Sequence, residues 1–310
     1  MNQTVSVAIC VATYLRPKSL GQLIDSLRVL EIDGIDVQLI IADNDPEGSA
    51  QAVFVDRTRD FPYPVTYVVE PTRGLAAIRN RLFAEAYARD VEFIASVDDD
   101  ATVDRRWLQE LVNTAITYNA DAVGGVPIFW VDDDIPTHVK QLFRPAVRPT
   151  GEPTRQIGTG NALYRVSAVK ELDGPFDLRF SLSAGEDILL DAMLHRRGHK
   201  IVGCAEALVY EYVPRSRANA VFLIKKGYSG GVLRGRIVLI MSPTPSSIIG
   251  HIVNSLGRII VGTFQVLWHA LVNRKLVLRY SVRIASGVGG IVIILFPKAM
   301  LQQYKTIHGG

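Results

Sequence analysis

Residues 91–103 read VEFIASVDDDATV, an apolar run of strand length that stops in three consecutive carboxylates, Asp98, Asp99 and Asp100. Such a triplet repels itself unless a cation or a network of donors offsets the charge. A hard divalent ion such as Mg2+ or Mn2+ does so, because it takes oxygen ligands and bridges one or two carboxylates to substrate phosphates. A solvated turn capping a helix that opens near Asp104 does so equally well. For the triplet in isolation both readings stand.

On either side of this strand the chain alternates strand-like and helix-like signals, the rhythm of a mainly parallel sheet covered by helices. Val5–Thr13, Gln38–Ala42 and Val65–Val69 read as strands before it. Between them lie a helix with Leu20, Leu23, Ile24, Leu27 and Leu30 on one face, a Pro- and Gly-punctuated stretch with a weak helix, and a helix over Leu75–Arg89. After the triplet, a helix carrying Trp107, Leu108, Leu111, Val112, Ala115 and Ile116 leads to a fifth strand near Ala122–Val126. Periodicity then lapses from about Trp130 to Gln156, where Pro and Asp accumulate as in an irregular, lid-like excursion. Regular structure resumes at Asn161–Tyr164, followed by a helix from Glu186 to about Arg197 and short strands around Lys200–Val202 and Ala207–Val209. Open parallel sheets bind ligands at the carboxyl ends of their strands. Thr13-Tyr14, Asp43-Asn44-Asp45 and the Asp98–Asp100 triplet are therefore expected along one edge.

Charge divides the chain. Residues 1–211 hold 21 Lys and Arg with all 31 Asp and Glu, whereas residues 212–310 hold 13 Lys and Arg and no acid. That tail is also rich in Ile, Val and Leu, and the whole chain has a mean hydropathy of +0.18. An anionic inner leaflet attracts such a segment, at about 1 kcal/mol per basic residue near the surface. Nucleic-acid binding ranks second, because apolar runs dilute the basic residues instead of polar and aromatic ones interleaving with them. Helices are expected near Ala218–Arg236, Ser246–Val272 and Leu276–Leu295. The uncharged runs, Ile237–Gly257 broken by SPTPSS, Ile259–Asn273 and Ile284–Pro297, fall short of the ~20 residues a span requires, which favours interfacial or re-entrant helices. No charged n-region with a cleavable apolar stretch opens the chain. Cys10 and Cys204 lack metal or disulfide spacing and fit a reducing cytoplasm.

Six stretches in order, CVATYLRP, IIADND, RGLAAIRN, SVDDDATV, GTGNALYR and AGEDILL, resemble glycosyltransferase family 2, whose members share the α/β nucleotide-diphospho-sugar transferase fold of the GT-A type. The resemblance covers residues 5 to about 217. With its ADND, DDD and EYVPRSRA stretches it is most similar to the succinoglycan-type glucosyltransferases of bacterial exopolysaccharide synthesis. It implies a catalytic domain over 1–217 and a helical, basic, membrane-associated region over 218–310. The implied activity is inverting transfer of a hexose, with UDP-glucose the expected donor and Mn2+ or Mg2+ the expected metal. The implied acceptor is a polyprenyl-pyrophosphate-linked oligosaccharide at the cytoplasmic face of the bacterial inner membrane. There the chain would be peripheral or monotopic, with polysaccharide assembly proteins as further partners and no role for nucleic acid.

Carried over position by position, Thr13 and Tyr14 would lie at the nucleotide, Tyr14 stacking on the base and Asp43 accepting from its edge, which implies uridine. Arg79 would sit near base and phosphates at its helix start, where backbone N–H groups favour anions; the alternative is a surface helix arginine. Asp98 would face the ribose and Asp100 the metal, with Asp99 open between them. Asp187, in Gly185-Glu186-Asp187, would be the base, and Glu186 would cap the helix or orient its neighbour beside the substrate. Gly158, Gly160 and Asn161 would form the floor for donor sugar and acceptor, or an ordinary tight turn. Tyr210 stands where related sequences tend to carry histidine, which leaves a third metal ligand open; His195 and His199 do not replace it. Asp132, Asp133 and Asp134 read as a solvated loop, and Arg215 and Arg217 as membrane-facing charge or contacts to a lipid pyrophosphate. A dehydrogenase is disfavoured because no G-x-G-x-x-G follows the first strand. A sugar nucleotidyltransferase lacks its Gly-rich phosphate loop there, and an idle membrane scaffold is opposed by the intact Asp98, Asp100 and Asp187.

Overall fold

The structure, a computed structural model, describes residues 4–297 apart from 146, 173, 182 and 183. The end of the basic tail lies outside these residues. Strand β1 (Val5–Thr13) is apolar on both faces because both are covered. Val7, Ile9 and Val11 pack with Leu20, Leu23, Ile24 and Leu27 of helix α1 (Pro17–Leu27). Ala8 and Cys10 turn the other way, toward Ile78, Leu82 and Phe83 of α3 (Leu75–Tyr87), which follows the short α2 (Gln51–Arg57). Trp107, Leu108, Leu111 and Val112 of α4 (Trp107–Thr117) fill the first layer. Both cysteines are buried and in no disulfide.

Parallel pairing joins β1 to β2 (Ile35–Asp43) and β4 (Phe93–Asp98), and β2 to β3 (Val65–Val69). With β5 (Ala101–Val103), β6 (Ala122–Val131), β7 (Asn161–Arg165) and β8 (Ile201–Val213) they form an eight-stranded sheet in the order β3-β2-β1-β4-β7-β6-β8-β5. β7 runs antiparallel to β4 and β6, and β5 antiparallel to β8. The sheet is therefore mixed, which corrects the mainly parallel expectation. A parallel return needs a crossover of a dozen or more residues, usually a helix. Among the described residues between β6 and β7 the chain builds only α5 (Thr137–Lys140) and a 3-10 turn, and β7 enters antiparallel. The two short strands expected around residue 200 are one continuous β8, because the chain stays extended through 203–206 although the alternation lapses. Helices α6 (Val166–Lys170) and α7 (Glu186–Arg196) cover the second face.

The chain divides into two compact units, 1–128 with 145–212 and 129–144 with 213–310, where the sequence places one cut after 217. The second unit contains α8 (Ala220–Met241), α9 (Pro245–Val272) and α10 (Val277–Leu295). Gly227, Gly231 and Gly235, four residues apart, let α8 lie backbone to backbone on α10. A Cβ at Gly227 would stand 2.7 Å from the Val282 carbonyl oxygen, the close approach that small residues permit between helices. On α9, Ile249, Val253, Leu256, Ile260, Phe264, Leu267 and Leu271 recur every three or four residues and are exposed, one apolar stripe on one helical face. Pro245–Val272 and Arg274–Leu295 are long and apolar enough to cross a membrane. The expected shortfall counts unbroken uncharged runs, whereas the helices continue through Arg258 and Arg283.

Candidate active site

Register brings the strand ends together: Thr13 lies opposite Asp43, and Ala12 opposite Asp98. Beyond this edge the polar residues separate into those used by the fold and those left open. Asp43 is wholly buried and accepts from the backbone N–H of Asp45 (3.0 Å) and Ala50 (2.8 Å) and from the Tyr67 hydroxyl (2.7 Å). Those bonds build the turn after β2 and give Asp43 a turn-holding role. Asn44 donates to the carbonyls of Glu70 and Thr72 (2.8 Å each) and accepts from Gly74 N–H at 2.7 Å. It thereby fastens the 70–74 loop, from which the Arg73 guanidinium lies 5.4 Å over the ring of the exposed Tyr14. Such a stack is a modest cation–π contact.

Within the triplet the three carboxylates diverge. Asp98, its side chain 44% exposed, accepts from Arg79 Nη2 at 3.2 Å. Burial of its inner side raises its carboxyl and Arg79 opposes the rise, while the Asp100 and Asp187 charges add to it. Asp99 turns inward, accepting from Thr13 Oγ1 at 2.7 Å and Arg16 at 3.1 Å. Burial pushes it up to about 6 against the pull of Thr13 and Arg16. Thr13 and Asp99 thus serve each other, and neither faces the open edge. Asp100 remains partly open and meets Arg16 at 2.9 Å. Arg16, which the motif reading passes over, neutralises two members of the triplet.

Arg79 is buried. One of its Nη groups donates to Asp98 and the other to Glu186, joining the triplet to the start of α7. The surface-arginine alternative is therefore excluded. Glu186 is 1% exposed; burial raises its carboxyl, and Arg79 counters the rise. Gly185, at φ +117°, turns the chain into α7 through a conformation that L side chains rarely adopt. Asp187, two residues on, is partly open, and a Cβ on Gly158 would stand 3.4 Å from its Oδ2. One turn further, the wholly buried Asp191 accepts from the N–H groups of Ile157 (2.8 Å) and Gly158 (3.0 Å), and burial raises it to about 7. Gly160, at the other end of this loop, lies against Asp98, because a Cβ there would be 2.6 Å from Asp98 Oδ2. The 157–160 segment is thus clamped between Asp98 on one side and Asp187 with Asp191 on the other. Asn161 points away: it accepts from Trp107 Nε1 at 2.8 Å and donates to the Ala207 carbonyl at 2.9 Å. It braces the sheet and forms no part of an open floor.

Other sequence candidates lie apart from this cluster. The Tyr210 hydroxyl donates to Asp104 at 3.4 Å, and His199 pairs with Asp121 at 3.4 Å. Asp132 and Asp134 hold Arg215, and Asp133 holds Lys140. Among the described residues no three His, Cys, Asp or Glu side chains converge as a closed metal cage. The partly open Asp100 still suits Mg2+ or Mn2+, which are held by one or two carboxylates plus substrate phosphates and water.

Two solved structures share this fold. The mannosyltransferase PcManGT from Pyrobaculum calidifontis, in complex with GDP-Man and Mn2+, aligns with a TM-score of 0.62 at 16% identity over 94% of this chain and 87% of that one. S. aureus TarS in complex with UDP aligns with a TM-score of 0.53 at 15% identity over 94% and 92%. The fold is thus the GT-A fold. The chain belongs to glycosyltransferase family 2: the model of Glycosyl transferase family 2 matches residues 8–173. Succinoglycan biosynthesis protein ExoM of Rhizobium meliloti (strain 1021) is 32% identical over 241 residues, 76% of each chain. Asp187 and Asp191 lie beyond the span matched by the family model.

Proposed function

We propose that the protein is an inverting hexosyltransferase of bacterial exopolysaccharide or cell-surface glycan synthesis. It takes a UDP-sugar, with UDP-glucose the first candidate, and extends a lipid-diphosphate-linked oligosaccharide at the inner face of the membrane. The observation that carries this reading is the line Asp98–Arg79–Glu186–Asp187 across the glycine-lined 157–160 segment. It places two partly open carboxylates at opposite walls of one segment, with a buried cation between them. The likeness to a succinoglycan biosynthesis protein supports the pathway class.

In this reading Tyr14 stacks on the uracil ring and Arg73 backs that stack. Asp98 receives the ribose hydroxyls. Asp100 would hold a divalent ion, which would supply charge stabilisation to the departing diphosphate. Asp187 accepts the proton of the acceptor hydroxyl. That oxygen forms a bond to the anomeric carbon while the carbon–oxygen bond to the diphosphate breaks, its electron pair leaving with UDP. One displacement from the opposite face inverts the anomeric centre, through a transition state akin to that of glycoside hydrolysis. Incubation with UDP-glucose, Mn2+ and lipid-linked acceptor, followed by proton NMR of the released glycan, tests this reading. A β-linked glucosyl product from the α-linked donor is expected, and an α-linked product would refute the single displacement.

A further inference from the structure

The helical unit contains a cavity of about 510 Å³, within the range of ~300–1,000 Å³ usual for small-ligand sites. Five basic side chains line it: Lys226 and Arg234 of α8, Arg258 of α9, and Arg279 and Arg283 of α10. Lys226 and Arg234 are eight residues apart and Arg279 and Arg283 four, so each pair shares one helical face. The glycine contacts that draw α8 onto α10 bring these faces side by side. No Asp or Glu follows Glu211 in the sequence, and the carboxylates of 132–134 are engaged by Arg215 and Lys140. Among the described residues none of the five pairs with a carboxylate; Arg234 donates to Ser286 Oγ and Arg283 to Gln265 Oε1 at 3.2 Å, both neutral acceptors. Burial, and then the charge of Arg258, disfavour the charged form of Arg234.

Five like charges around one cavity repel until an anion enters. The surroundings fit an amphiphile better than a free anion. Val261 and Trp268 follow the cavity-lining Asn254 at seven-residue intervals along α9, and both are exposed, so apolar surface runs from the cavity wall along the helix. We propose that the cavity is a headgroup site for a lipid diphosphate, its phosphates held by Lys226, Arg234, Arg258, Arg279 and Arg283 and its chain lying along Val261 and Trp268. A diphosphate satisfies more of these cations than a phosphodiester with a single charge, and arginine forks match phosphate oxygens in pairs. This site deepens the proposed function, resting on its membrane-bound helical unit, and its test needs no sugar transfer.

The full-length protein is floated with phosphatidylcholine vesicles carrying either dioleoylglycerol diphosphate or phosphatidylglycerol, adjusted to equal surface potential. Preference for the diphosphate lipid by about tenfold is expected, the factor that ~1.4 kcal/mol supplies. The pair R258Q/R283Q removes that preference, while K225Q/K275Q, the same charge loss outside the cavity, keeps it. Equal binding of both lipids by the unaltered protein overturns the site, and so does an equal change of the ratio in both variant pairs. Displacement of the diphosphate vesicles by inorganic pyrophosphate at an equal phosphate concentration overturns the lipid assignment in favour of a soluble anion. UDP-sugar binding, measured on the same preparations, stays unchanged in R258Q/R283Q. The headgroup site can therefore fail while the transferase reading stands, and the reverse.

Discussion

Gly160→Ala introduces one methyl group at the tightest point of the cluster. The new Cβ would lie 2.6 Å from Asp98 Oδ2 and 3.2 Å from Asp98 Cγ, where ordinary contact begins at 3.4 Å. Asp98 or the 157–160 segment must therefore yield by about 0.8 Å. The Arg79–Asp98 bond, already 3.2 Å, does not survive a shift of that size. Misplacement by ~1 Å costs up to about 100-fold in rate, so kcat/KM for the UDP-sugar should fall by ~10–100-fold. Asp98 has an open side into which it can move, so the stability loss should stay near the lower end of the ~1–3 kcal/mol usual for overpacking. Steady-state transfer kinetics together with urea unfolding separate the two effects. Activity within about twofold of the unaltered protein, at unchanged stability, would refute the placement of Asp98 at the donor.

Asp187→Asn should abolish transfer while leaving UDP-sugar affinity intact, because the amide keeps the shape and cannot take a proton; titration calorimetry beside a transfer assay reads both. Arg79→Met should destabilise the protein by ~3–5 kcal/mol, since it strands Glu186 as a buried charge, and adding Glu186→Met should restore much of that loss in urea melts. Asp191, raised by burial from 3.8 to about 7, binds its proton more tightly folded than unfolded. Its contribution is complete below about pH 4 and is lost as pH rises toward 7, at no more than ~1.4 kcal/mol per unit. Asp191→Asn should flatten that part of the stability profile, and an unchanged slope in urea midpoints across pH 4–8 would remove Asp191 as its source. Asp100→Asn should make UDP-sugar binding insensitive to Mn2+; retained metal stimulation would move the metal contact elsewhere.

The parts of the fold that carry a period were legible. α1 and α4 announce themselves by a single apolar face, β1 by an apolar run of strand length, and α8 to α10 by their long apolar stretches. The sense of β7 was hidden, because an antiparallel strand buried on both sides has the same composition as a parallel one. At the site, position after a strand singled out Tyr14, Asp98 and Asp100, and motif likeness singled out Arg79, Glu186 and Asp187, of which the structure joins Arg79 to Asp98 and Glu186. The strand-end rule also selected Asp43, Thr13 and Asp99, and the motif likeness Asn161; the structure turns all four inward, because sequence shows a polar residue without showing which donors reach it. Asp191 was missed although it stands one helical turn after Asp187, on the same face. Arg16, inside the CVATYLRP stretch, was missed because its partners are more than eighty residues away.

Donor recognition is read by titrating nucleotide-diphosphate sugars against the purified protein, with and without Mn2+. Metal-dependent binding that selects one UDP-hexose is expected, weakened by Asp100→Asn and preserved in Asp187→Asn. Failure of every nucleotide sugar to bind a protein shown to be folded would contradict that expectation and favour a catalytically idle scaffold.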